Sequence, residues 1–266
     1  MNYLKIIFVL LFFPAAGIFA QQDTIYNHTD ANGLKQGYWK KAFPNGRMMY
    51  KGFFKDNKPV GEMRRYFESG ALRAILHYSN TGEHVRAREF YQSGKIAAEG
   101  NYVNSKRDST WVYYSFYSGS VTSRESYHMG VRNGMVINYY PNGDVSEKIE
   151  WINGKKSGIW EQYFLGNVLR LKSGYLDNKL QGDFIVYYAN GEPNVQGKYV
   201  NDLREGRWII FEEDGSVAME LDYKQGKSAD EDKLEKEQQE LFKQIDENMG
   251  KFEEPDETDF LGPSAK

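Results

Sequence analysis

Gly182-Asp183-Phe184-Ile185-Val186-Tyr187-Tyr188-Ala189-Asn190-Gly191 is the stretch on which the fold turns. A glycine stands two residues before a ring, a short apolar and aromatic segment follows, and the stretch closes on Asn-Gly. Glycine there supplies the positive φ that a hairpin turn needs. Three landmarks of this kind recur along the chain. The first falls at Gly37, Gly61, Val85, Ser109, Gly134, Gly158, Gly182 and Gly206, in steps of 24 residues with a single step of 25. The second falls at Gly46, Gly70, Gly94, Gly119, Gly143, Asn167, Gly191 and Gly215, and the third, wholly aromatic, at Phe54, Tyr78, Tyr102, Tyr127, Trp151, Tyr175, Tyr199 and Tyr223. Three series in one register identify an internal repeat, and the extra residue between Ser109 and Gly119 is expected to form a bulge.

Each unit reads as strand, turn, strand, turn. Pro44-Asn45-Gly46 and Pro141-Asn142-Gly143 mark the hairpin turns, and Asp56-Asn57 and Asn153-Gly154 mark the connections to the next unit. The second strands alternate: Val217, Met219, Leu221 and Tyr223 stand against Ser216, Ala218, Glu220 and Asp222. One face is therefore expected to be buried and the other wet. First strands often end in adjacent rings, as in Tyr66-Phe67, Phe90-Tyr91, Tyr139-Tyr140, Tyr163-Phe164 and Tyr187-Tyr188. Neighbours on a strand point to opposite faces, so one ring of each pair packs inward and the other lies on the second face.

The predicted fold is all-β: an elongated, twisted single-sheet array of eight hairpins over residues 33–226. Sixteen strands at about 4.8 Å spacing give a length on the order of 75 Å, and strands of about seven residues a width of roughly 23 Å. So many strands are expected to curl into a trough or half-tube. Repeats three and four, lacking the glycine anchor, are the least regular. Residues 21–32 read as an N-terminal cap. Beyond Gly226, Leu234, Leu241, Phe242, Ile245 and Met249 fall at helical spacing, which predicts an amphipathic helix within 227–250 covering the last strand edge. Residues 251–266 read as an acidic disordered tail.

Composition narrows the function. The 20 Tyr, 16 Phe and 26 Gly suit strands and turns, and the absence of Cys excludes disulfides, thiolate nucleophiles and Cys-ligated metals. A net charge of −3 conceals an acidic end: residues 227–266 carry 6 Lys and 13 Asp or Glu. At the other end, Lys5, the apolar run Ile6–Phe13 and Ile18-Phe19-Ala20 read as a cleaved signal peptide over residues 1–20, so a secreted or periplasmic protein is expected. Without Cys, no lipid attachment is expected there.

The unit Gly-x-Trp-x-x-Tyr-Tyr-x-x-Asn-Gly, followed eight residues later by Tyr and then Asn-Gly-Lys, resembles the MORN-repeat variant family over about residues 30–226. The resemblance implies an elongated antiparallel sheet of hairpins serving protein–protein or membrane-lipid association. Bacterial members resemble antitoxin components of toxin–antitoxin modules. It implies no catalytic residues.

The residues themselves point the same way. His28, His77, His84 and His128 share no metal-ligand spacing, no nucleophile motif or phosphate-binding loop occurs, and Glu212-Glu213 reads as a turn flank. No enzyme activity, cofactor or metal is expected. The candidate binding surface is the ring row Tyr66, Phe90, Tyr114, Tyr139, Tyr163 and Tyr187, with a basic cluster of Arg64, Arg65, Arg73, Arg86 and Arg88. These features suggest a non-enzymatic exported scaffold that binds a protein partner through its repeat face, and the resemblance adds an antitoxin-like role to that expectation. A glycan or cell-wall ligand on the ring row is the alternative, since flat rings give large contact area at low entropy cost. A membrane surface is a weaker expectation, nucleic acid is not expected, and oligomeric state stays open.

Overall fold

A computed structural model describes residues 25–228 and Lys243. The expected signal peptide and acidic tail, and all of the expected C-terminal helix but Lys243, lie outside the described residues. One antiparallel sheet contains every strand among the described residues. Strand β1 (His28–Thr29) lies on the N-terminal edge. Hairpins follow as β2 (Lys35–Ala42) with β3 (Met48–Lys55), β4 (Lys58–Tyr66) with β5 (Leu72–Tyr78), and β6 (His84–Phe90) with β7 (Ile96–Val103). The next three are β8 (Lys106–Tyr114) with β9 (Val121–His128), β10 (Val131–Tyr139) with β11 (Val145–Ile152), and β12 (Lys155–Tyr163) with β13 (Leu169–Leu176). In the seventh and eighth the first strand is split: β14 (Lys179–Leu180) pairs back to β13 and β15 (Gly182–Tyr187) faces β16 (Pro193–Val200), while β17 (Leu203–Arg204) pairs back to β16 and β18 (Gly206–Phe211) faces β19 (Val217–Lys224). The short β20 (Lys227–Ser228) ends the sheet. Each strand pairs with its neighbour in sequence, so the sixteen expected repeat strands are present.

Two turn chemistries alternate. Hairpin turns run as at Phe43–Arg47, where the Phe43 amide donates to the Arg47 carbonyl (2.8 Å), the Gly46 amide donates to the Phe43 carbonyl (2.9 Å), and Gly46 sits at φ +82. Except between the second and third units, connections are two-residue turns with both φ values positive, as at Asn153 (52°) and Gly154 (82°), the form whose twist matches that of the strands. The expected bulge between Ser109 and Gly119 needs correction. Ser115 bonds to Ser120 and the Gly119 amide reaches back to Ser115, so the additional residue enlarges the turn. The register step at Tyr113/Tyr114 is the one seen in the other hairpins.

The anchor glycines explain the irregular third repeat. Around Gly158, at φ +112, the register jumps from Ile149↔Trp160 to Trp151↔Lys156, so three residues face Glu150 alone. A β-branched residue strongly disfavours that left-handed backbone. At Val85 the ladder accordingly runs unbroken from Ala74↔Glu89 to Tyr78↔Val85, and the length appears instead in a wider connection closed by Ser79 and His84. Ser109 retains the bulge conformation at φ +62.

The core lies on the face bearing Trp111 and Trp208, called inner below. It forms two apolar clusters, one from Phe54 to Tyr113 and one from Ile149 to Tyr223. Between them the buried face turns polar at Ser123, Glu125, Ser146, Glu147 and Gln162, which strand alternation alone did not suggest. Glu125, 3% exposed, accepts from Tyr127 Oη (2.5 Å) and Arg132 Nε (3.1 Å). Glu147, 6% exposed, accepts from Asn138 Nδ2 (3.0 Å), Trp160 Nε1 (2.9 Å) and Gln162 Nε2 (3.3 Å). Partners on β9 to β12 thus satisfy the two buried carboxylates, as burial of charge requires.

Candidate binding cleft

Strand alternation divides the arginine cluster between two faces. Arg64, beside buried Met63, points outward and pairs with Glu62 (2.6 Å). Arg65 shares the inner face, standing across from Ala74. Arg86 and Arg88 lie outward, and Arg88 pairs with Glu99 (2.5 Å). Arg73, the extra residue opposite Tyr66, turns inward with its guanidinium 5.7 Å from the Phe67 ring.

The outer face carries the expected ring row. Tyr66, Phe90, Tyr114, Tyr139, Tyr163 and Tyr187 each end the first strand of a hairpin and stand opposite Leu72, Ile96, Val121, Val145, Leu169 and Pro193. Phe211 against Val217 adds a seventh ring, missed because its neighbour is Glu212 and it forms no doublet. All seven are half-buried. Tyr114 donates to Glu99 (2.8 Å) and Tyr163 to Glu161 (2.6 Å), while Lys148 donates to the Tyr163 hydroxyl (2.9 Å). Burial would raise the Glu99 pKa, but hydrogen bonds from Arg88 and Tyr114 hold it below the usual carboxylate value.

The second tyrosine of a doublet joins repeats. Tyr91 Oη donates to the Tyr114 carbonyl (2.6 Å), Tyr140 Oη to that of Tyr163 (2.6 Å), and Tyr188 Oη to that of Phe211 (2.8 Å). Doublets that end in tyrosine therefore place one ring on the outer face and use the other as a staple to the next unit, whereas Phe67 and Phe164 carry no hydroxyl to do so.

On the inner face of β4 to β8 the core is thin. Two residues after each anchor the chain carries Trp39, Met63, Trp111, Val136, Trp160, Phe184 and Trp208, but Ala87 in the third repeat. Four residues after the hairpin glycine, Ala74 and Ala98 stand where other units have Tyr50, Leu171, Val195 or Met219. Beside Ala74 the surface recedes into a cleft of about 590 Å³, a volume within the usual range for ligand sites, while Ala87 and Ala98 are themselves buried. Ala74, Leu76, Val85 and Ala97 form its apolar lining, Arg65, Arg73 and Phe67 lie toward the hairpin turns, and Tyr102, Ser105 and Arg107 toward the connections. Phe90 borders it.

Its charge is mostly positive. Glu89 accepts from Tyr102 Oη (2.9 Å), and burial, then the Glu89 charge, push the Tyr102 pKa up, so the phenol stays a neutral donor. Arg107 lies over the Trp111 ring at 5.0 Å. Burial works against its charge, but Tyr113, Tyr127 and Tyr102 around it more than offset this and its pKa is raised. Arg65 makes no hydrogen bond or ion pair among the described residues, leaving its guanidinium available to a ligand. Of the cleft, the sequence reading named Arg65, Arg73 and Phe90; the readable signal for the rest was the run of alanines at core positions.

Five segments, 59–80, 83–104, 132–153, 180–201 and 204–225, match the MORN repeat variant family. No curated protein matches the chain. Among solved structures, the TCP10 domain of Danio rerio CPAP in complex with a peptide of Danio rerio STIL is 13% identical, aligned over 70% of this chain and 100% of that one, with a TM-score of 0.24. The TcdB2-TccC3-TEV crystal structure is 9% identical over 72% of this chain and 11% of that one, with a TM-score of 0.19. Likenesses this distant bear on neither fold nor function.

Proposed function

We propose, for a chain that belongs to the MORN repeat variant family, that it is an exported binding scaffold which holds an extended acidic segment of a protein partner in the inner-face cleft. The carrying observation is the coincidence of a receding alanine floor with three guanidinium groups and one carboxylate around it. Aromatic walls accept apolar side chains while arginines meet carboxylates. The role assigns no catalytic group. A leader over residues 1–20 would put the partner outside the cytoplasm.

The test is fluorescence anisotropy with a labelled acidic peptide containing one Phe, titrated with the full chain. Reversing Arg65 and Arg73 together to Glu should weaken binding about tenfold, from about 0.7 kcal/mol per exposed charge contact. Ala97→Trp, which fills the floor, should weaken it as well. Equal affinity in all three proteins would dispose of the site.

The outer ring row supports a second reading, a glycan lying along the sheet. Its rings recur once per hairpin, about 9.6 Å apart at two strand spacings. Retention on cell-wall polysaccharide that is lost in Tyr163→Ala and Tyr187→Ala, with peptide binding absent, would favour it.

A further inference from the structure

We infer that the acidic stretch Glu253–Asp259 of the chain's own C-terminal segment docks in the inner-face cleft and competes there with outside ligands. This rests on reading the cleft as a site for acidic peptides.

Charge complementarity is the first support. Glu253-Glu254-Pro255-Asp256-Glu257-Thr258-Asp259 places five carboxylates in seven residues, between Phe252 and Phe260. Pro255 biases Glu254 toward extended backbone, the form that suits a narrow cleft. The cleft offers guanidinium groups at both ends and rings beside them. The second core has no counterpart of Arg65: the inner-face positions of the same register there carry Gln162, Val186 and Ile210.

Chain length is the second. Ser228 ends β20, ten strand spacings from β8 and fourteen from β4, or about 48 to 67 Å along the sheet. Twenty residues of the helix expected within 227–250, laid along the sheet instead of across its last edge, would span about 30 Å. Eight extended residues to Asp256 add about 27 Å. The path of about 57 Å ends within the span of the cleft. Tethering at an effective concentration of about 1 mM keeps a site with a Kd of about 100 µM roughly nine-tenths filled, so the contact can be weak.

The chain contains no Cys, so two labels can be placed without background. Ser105→Cys puts a donor on the cleft rim and Ser264→Cys an acceptor beyond the acidic stretch. Energy transfer in the full chain at nanomolar concentration should be high at low salt. It should fall in R65E/R73E and in E253Q/E254Q/D256N/E257Q/D259N, with the circular dichroism of R65E/R73E unchanged because Arg65 and Arg73 are exposed. The neutralised chain should also bind the acidic peptide probe several-fold more tightly than wild type. Transfer that ignores both sets of substitutions, or that arises between separately labelled molecules, overturns the inference. If the neutralised chain still binds the probe through Arg65 and Arg73, the cleft reading survives that failure; if it does not, both fall.

Discussion

Gly100→Ala should destabilise the N-terminal core by about 3 kcal/mol. Gly100 has no left-handed φ, so backbone strain does not enter. A Cβ there would overlap Cδ2, Cε2 and Cγ of Trp111. That indole is 0% exposed, its Nε1 donates to the Asn101 carbonyl (3.0 Å), the Tyr102 ring packs 4.9 Å away, and Arg107 covers it at 5.0 Å. The ring cannot swing aside without losing these contacts. Overpacking a filled site costs about 1–3 kcal/mol, and the strained indole hydrogen bond adds about 1 kcal/mol. A loss of about 3 kcal/mol lowers the folding equilibrium constant more than a hundredfold. Urea unfolding of the full chain, followed by circular dichroism, measures it. Trp111→Leu costs stability by itself but removes the obstacle, so adding Gly100→Ala to it should cost at least about 1 kcal/mol less than in wild type. A loss below about 1 kcal/mol in the single variant, or additive losses in the pair, would refute the packing argument.

Other perturbations probe the remaining joints. Glu147→Ala strips the acceptor from three side-chain donors and should cost about 2–6 kcal/mol at roughly 1–3 kcal/mol for each of the two shorter bonds, whereas Glu83→Ala at an exposed turn should change stability by less than about 0.5 kcal/mol; chemical denaturation compares them. Tyr140→Phe, which removes the bond to the Tyr163 carbonyl, should cost about 0.5–1.5 kcal/mol, and hydrogen exchange should quicken between the fifth and sixth hairpins. Burial, then the Glu147 charge, push Tyr175 up to about 12. Its contribution is therefore complete below pH 10 and is lost as the pH rises toward 12, because the folded state keeps a proton that the unfolded state releases. Tyr175→Phe should flatten that alkaline decline in thermal melts.

Particular residues show how much was legible. The doublet Tyr187-Tyr188 declared two faces because a strand repeats every second residue, and the Tyr188 staple follows from that alternation. The adjacent Arg64 and Arg65 obey the same rule, so their separation was implicit in the sequence, although a cluster in sequence suggested a cluster in space. The 25-residue step was visible, but its location was not: a turn enlarged between Ser115 and Ser120 and a bulge add the same residue count.

By itself the sequence determined the period, the sixteen repeat strands, their antiparallel order and the turn at each end. All of these are local: φ preferences of Gly, Asn and Asp and the two-residue alternation act within one hairpin. The tertiary structure alone decided the cleft, the polar break between the two cores and the collision beneath Gly100. Ala74 and Ala98 flank Glu89 in one cross-strand row while Ala87 lies between Leu76 and Gly100 in the next, so register alone gathers these small residues, and Glu147 is tolerable because Asn138, Trp160 and Gln162 converge on it from other strands. Volume and hydrogen-bond satisfaction are properties of neighbours across the ladder, and register, not sequence distance, chooses those neighbours.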